Sequence, residues 1–196
     1  MSADRGAGRV SAEQRLVEAA AEMLAEVGPR AMSVRQVAER AGVNHGLVHH
    51  YFGGKDGLLR AAMRRLVSDH ERWAREVSGG GPFPVPMALG GDQRYLRAVV
   101  RSLLDGETDL ALTELSSGVS VPRQAMEAEV ARRGLDAADV ETKATVGAAM
   151  ALEMGWAALE EFIFAVTGTT ADEADNVRTR VRELRAGIAQ RERLRR

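Results

Sequence analysis

The chain reads as all-α, in about nine helices. Three observations point there. Ala, Leu, Val, Glu and Arg abound, while aromatics make up 4% of the 196 residues, a composition that favours helix. Apolar residues recur at helical spacing along most segments, and no alternating run of strand type occurs. Caps and breakers punctuate the chain: Ser, Asn or Asp before an apolar run, Gly or Pro after it.

Each helix has its own warrant. Ser11-Ala-Glu-Gln14 is a capping box, followed by Leu16, Val17, Ala20, Leu24 and Val27 at helical period and stopped by Gly28-Pro29. Ser33-Val-Arg-Gln36 is a second box, opening a short helix with Val34, Val37 and Ala38 inward and Ala41-Gly42 as its stop. Asn44 caps a third helix through Tyr51, and Gly53-Gly54 breaks the chain again. Lys55 starts a longer helix to about Val77, with Leu58, Leu59, Ala62, Met63, Leu66 and Trp73 on its stripe. Residues 78–91 hold five glycines and three prolines and read as a connection. Beyond it, helices are expected from Asp92 to about Leu104, over 107–117, from Pro122 to Arg133, from Asp136 or Asp139 to Thr167, and from Thr170 or Asp172 almost to Arg196.

Composition excludes several classes. With no cysteine there is no disulfide framework, thiolate nucleophile or cysteine-bound metal. No apolar run approaches the roughly 18 to 20 residues that span a bilayer, and Met1 to Val10 lack a signal-peptide core. A cytoplasmic protein is the expectation. No Walker loop, Gly-x-Ser-x-Gly or His-Glu-x-x-His occurs, and residues 79–196 hold no histidine for helical di-iron chemistry. The chain is therefore expected not to be an enzyme, and no cofactor is expected. His45 and His49 are four apart and share a helical face, but no further ligand declares itself, so no metal is expected either.

The net charge is −1, yet residues 30–65 carry seven basic side chains against two acidic ones. That hints at a polyanion partner, but on charge alone a solvated basic surface is the preferred reading. The pattern inside this stretch says more. Two short helices joined by Ala41-Gly-Val-Asn44 form a helix-turn-helix, with Gly for the turn and Val43 beneath it. An ordinary helical hairpin is the alternative that the turn alone leaves open.

The longer run Ser33-Val-Arg-Gln-Val-Ala-Glu-Arg-Ala-Gly-Val-Asn-His-Gly-Leu-Val-His-His-Tyr-Phe52, then Gly-Gly-Lys55-Asp-Gly-Leu-Leu59, closely resembles the DNA-binding domain of TetR-family transcriptional regulators. The resemblance covers about residues 11–65. The remainder matches in length and helix count, with a loose likeness at Gly155-Trp156. It implies an arm over 1–10, a helix-turn-helix head over 11–56, and a ligand-binding and dimerisation domain over 57–196. The sequence departs from the family at Leu47, commonly a small polar residue, at Val48, usually Leu, at His49, most often Tyr, and at Gly54, often Ser.

The resemblance also implies roles. Tyr51 and Lys55 match positions that contact phosphate and set register. Ser33, capping the second helix, can meet a phosphate. Asn44, His45, Leu47, His49 and His50 lie on or near the outward side of the recognition helix. Asn44 or His45 suits base edges, Leu47 a thymine methyl, and Arg35 a guanine or phosphate. A solvated side chain is the alternative for each. Arg5 and Arg9 sit in the arm, where a minor-groove contact or a plain terminus are both open.

For the second domain, Ala148, Ala151, Gly155, Ala158 and Phe162, with Val177, Val181, Leu184 and Ile188, are candidates for a homodimer interface through the last two helices. Their own core is the alternative. Leu103, Leu112, Met126, Met150, Met154 and Trp156, with Glu153 and Glu160, are candidates for a pocket taking an apolar small molecule. The expected function is a sequence-specific regulator, a ligand-responsive repressor on a palindromic operator. The alternative is an architectural or adaptor DNA binder without an effector.

Overall fold

The computed structural model describes residues 11–77, 93–116, 118 and 120–193, with side chains as far as residue 184. The arm over 1–10, the Gly/Pro stretch over 78–91 and the Asp92 cap lie outside the described residues. Among the described residues there are ten helices and no strand.

α1 (Ala12–Ala31) starts at the Ser11 box: Ser11 Oγ accepts from the Gln14 N–H at 3.1 Å, and Gln14 Oε1 accepts from the Ser11 N–H at 3.0 Å. Its regular path breaks at Gly28, where φ is +79°, ahead of Pro29. α2 (Val34–Arg40) starts at the Ser33 box. The turn into α3 (Gly46–Phe52) runs through Gly42 at φ +64°, with the Val43 N–H donating to Ala38 C=O at 3.0 Å. That bond across a left-handed glycine is a Schellman closure. Asn44 Oδ1 accepts from the Gly46 N–H at 2.8 Å and so caps α3. α4 (Lys55–Val77) leads away from the head.

The second part comprises α5 (Arg94–Leu104), α6 (Thr108–Ala111), α7 (Thr113–Ser116), α8 (Val121–Arg133), α9 (Val140–Thr167) and α10 (Ala174–Arg193). The single helix expected over 107–117 is two short turns. The Thr113 hydroxyl donates to Leu110 C=O at 2.7 Å, offering the backbone a local partner where the helix would have continued. Asp139 caps α9, accepting from the Thr142 N–H at 2.8 Å and from Arg133 at 2.8 Å. These bonds hold its carboxyl at about 2, the Thr142 backbone bond first among them.

One core runs through both parts. Leu16 and Leu24 of α1, Val37, Val48, Leu58, Met63 and Leu66 share a cluster with Leu96, Ala98 and Val99 of α5 and with Ala157 of α9. A fully buried leucine stabilises by roughly 2 kcal/mol, and this cluster crosses the expected 56/57 boundary without a break. α5 is also tied to α1 by polar contacts. Arg101 Nε donates to Ala25 C=O at 3.1 Å, Asp105 Oδ2 accepts from the Arg30 N–H at 2.9 Å, and Arg94 pairs with Glu18 at 2.8 Å. A Cβ at Gly28 would sit 2.9 Å from Asp105 Oδ2, so the kink needs glycine for space as well as for φ. Along the same helix, Arg97 Nε donates to Ala157 C=O at 2.9 Å.

α10 meets α9 around Trp156, packed by Ile163, Phe164, Val177 and Val181. Trp156 Nε1 donates to Glu160, and Glu160 pairs with Arg178 at 2.6 Å. Arg178 holds the Glu160 carboxyl below its ordinary value against the opposing effect of burial, and its guanidinium stands 5.3 Å from the Phe164 ring centroid.

Candidate nucleic-acid interface and internal cavity

The head presents one face. Ala38 and Val48 are both buried, at 2% and 0% exposure, in the core shared with α1 and α4, which sets the inward side of α2 and α3. With Val48 inward, Asn44, His45, His49 and His50 are exposed along the other side. Tyr51 is 42% exposed, its ring set edge-on against His50 at 5.0 Å and Phe52 at 6.2 Å. Val43 and Phe52 are half-buried on the core.

The chemistry left over differs among these residues. Asn44 uses its carbonyl oxygen on Gly46, which leaves its amide N–H groups for an acceptor outside. The Ser33 hydroxyl is engaged within its box, donating to Gln36 Oε1 at 2.7 Å and accepting from the Gln36 N–H at 3.2 Å. Leu47 is half-buried and packed on the head's core, so it is less outward than a groove-facing role assumes. It stands one residue before buried Val48, at the edge of the inward face. Lys55 is half-buried at the start of α4.

The basic residues also separate. Arg40 is neutralised by Glu26 at 2.7 Å and Glu22 at 3.8 Å, and Arg65 by Asp69 at 2.7 Å. Arg30, Arg35, Lys55, Arg60 and Arg64 make no ion pair among the described residues, so their positive charge is there for a polyanion. Among the described residues, no group of three His, Cys, Asp or Glu side chains could hold a metal ion.

The second site is a cavity of about 310 Å³ among α4, α5, α6, α7, α8 and α9. Of the pocket candidates, Leu103, Leu112, Met150, Glu153 and Met154 line it. Met126, Trp156 and Glu160 do not. Trp156 and Glu160 belong to the α9–α10 contact. Sequence reasoning missed the aromatic wall: His70 of α4 stacks on Tyr95 of α5 at 4.6 Å and on Trp73 at 5.7 Å. The Tyr95 hydroxyl donates to Glu114. Burial first, then the Glu114 charge, pushes that phenol well above its ordinary range, so it keeps its proton. The spacing of His70 and Trp73, on one face of α4, was the available signal.

Of the interface candidates, Ala148, Ala151, Ala158 and Phe162 are exposed on α9 and Leu184 on α10. Gly155 is half-buried. Val177 and Val181 pack inside their own chain on Trp156. The Ile188 side chain lies outside the described residues.

A helix-turn-helix with an exposed second helix, on an all-α body, defines a DNA-binding transcriptional regulator. Comparison with known proteins gives the family. Residues 16–62 match the family described as bacterial regulatory proteins, tetR family. An HTH-type transcriptional repressor of Mycobacterium tuberculosis is 30% identical over 181 residues, spanning 92% of this chain and 90% of that protein. The regulator BetI 1 of Chromohalobacter salexigens is 35% identical over 97 residues, 49% of this chain and 42% of its own. A crystal structure of a tetR-family regulator from Streptomyces coelicolor shares the fold at 22% identity and TM-score 0.52, over 89% of this chain and 81% of that one. The chain belongs to the TetR family. Among the described residues, no helix is long and apolar enough to cross a membrane.

Proposed function

We propose that this regulator is a ligand-responsive repressor that binds a palindromic operator in the cytoplasm as a homodimer. The observation that carries the ligand response is α5. One side of it lines the cavity through Tyr95, Leu96, Val99 and Leu103, and Arg101 and Asp105 on the same helix hold α1 of the head. An effector that favours one placement of α5 therefore favours one placement of the head.

The dimer reading rests on a stripe of exposed apolar side chains on α9. Ala148, Ala151, Leu152, Ala158, Leu159, Phe162 and Val166 recur at helical spacing, Phe162 at 65% exposure and Val166 at 70%. A two-fold pair is the ordinary way to cover such a face. In the complex, Tyr51 and Lys55 with Arg35 hold phosphates. Asn44, His45, His49 and His50 face the groove, and the Leu47 and Ser33 contacts are secondary.

Selection of bound duplexes from a random pool tests this, with sedimentation of the free protein. The expected result is a dimer and an inverted repeat with half-site centres about one turn apart, near 34 Å. Duplexes held without preference would favour the architectural reading.

A further inference from the structure

We infer that Arg101 and Asp105 of α5 are positioning residues for DNA recognition: they supply two backbone hydrogen bonds that the Gly28–Pro29 break takes from α1, and so set where α2 begins. This rests on α2 and α3 forming the DNA-binding face, and it needs no effector. In an unbroken helix the residue four on from Ala25 donates to Ala25 C=O. Here that residue is Pro29, which has no N–H. Arg101 Nε takes its place, donating to Ala25 C=O at 3.1 Å. At Gly28, φ +79° and ψ 170° lead the chain out of helical geometry, into a region open to glycine. The Arg30 N–H beyond it donates out of α1, to Asp105 Oδ2 at 2.9 Å.

Both bonds come from one side of one helix end. Arg101 and Asp105 are four apart and share a face of α5. Asp105 is the C-cap, its N–H donating to Arg101 C=O at 2.9 Å. The Glu107 N–H closes the end on Ser102 C=O at 2.8 Å, across Gly106 at φ +81°. The carboxylate is thus held on a closed helix terminus. Ala25, Gly28 and Pro29 are buried, so water does not readily replace the Arg101 donor. The chain after the break is short. Met32 is buried in the core, Ser33 caps α2, and Arg35 stands in its first turn. The direction in which Arg30 leaves the break therefore sets the start of α2, and Arg35 with it.

Two pairs of substitutions separate the hydrogen bond from the charge. Arg101→Gln keeps an N–H donor at the position of Nε, and Arg101→Met keeps the length without it. Asp105→Asn keeps an acceptor, and Asp105→Ala does not. The full chain is titrated, well below each variant's melting temperature, with the duplex that the parent chain selects from a random pool. Amide hydrogen exchange is followed over α2. Arg101→Met and Asp105→Ala are each expected to weaken binding about fivefold, because a junction left loose in the free chain must be ordered on binding. Exchange in α2 should quicken by about the same factor. Arg101→Gln and Asp105→Asn should stay within about twofold of the parent chain in both readouts. A fall in melting temperature with affinity and exchange unchanged would assign these residues to stability alone and overturn the inference. Equal weakening within each pair would assign the effect to charge and overturn it too. The pairs are independent, so if one variant does not fold the other pair decides. A parent chain that prefers no duplex removes the DNA reading alone, and exchange in α2 still decides whether α5 positions it.

Discussion

Gly57 sits where α4 leaves the head, and a Cβ there would lie 1.9 Å from Phe52 C=O. The backbone of α3 cannot yield without moving Tyr51, so Gly57→Ala is expected to destabilise by about 1–3 kcal/mol, read from urea unfolding. The outward residues of α3 make a different kind of prediction. In the proposed complex Lys55 and Tyr51 hold phosphates, so Lys55→Ala and Tyr51→Phe should weaken binding alike on every duplex. The salt slope should fall by about 0.9 for the lysine. Asn44→Ala should instead relax preference at one base pair, by about 1–3 kcal/mol, in competition assays.

At the scale of elements, α5 and α9 carry the testable load. Asp105→Ala removes the acceptor of the Arg30 N–H, and about 1–2 kcal/mol of stability should go with it. The Asp139 cap gives a pH dependence of known sign. Its carboxyl is at about 2 in the folded chain, below the ordinary 3.8, so its contribution is complete above that ordinary value. The contribution is lost as pH falls through about 2, and acid unfolding of Asp139→Asn should lack that component. Helix ends of this kind were legible because they are local: Ser11, Ser33, Gly42, Asp139 and Gly168 cap or turn where the residues say they should. The split of 107–117 was not: the chain leaves helical geometry at Leu112, and no Gly, Pro or cap residue there announces it. The cavity's aromatic wall was hidden for another reason. His70 and Tyr95 are distant in sequence, and only the packing of α5 on α4 brings them together.

For the molecule as a whole, the unpartnered stripe on α9 predicts the assembly. Phe162→Glu places a charge in the middle of it and should shift sedimentation to the monomer, with loss of affinity for a paired site and little change in melting of the isolated chain. The stripe's period was readable, but its direction was mixed. Ala148, Ala151, Ala158 and Phe162 face out, while Val177 and Val181 turn in because Trp156 supplies an indole to cover them.

The shared core has a consequence for anyone recombining such proteins. A graft of the first 56 residues onto a foreign body would carry Leu16 and Leu24 away from α4 and α5, which seal them, and would strip Glu18, Ala25 and Arg30 of their partners on α5. The recognition module is not a detachable cartridge. A chimera that works must import α4 and the α1-facing side of α5 with it.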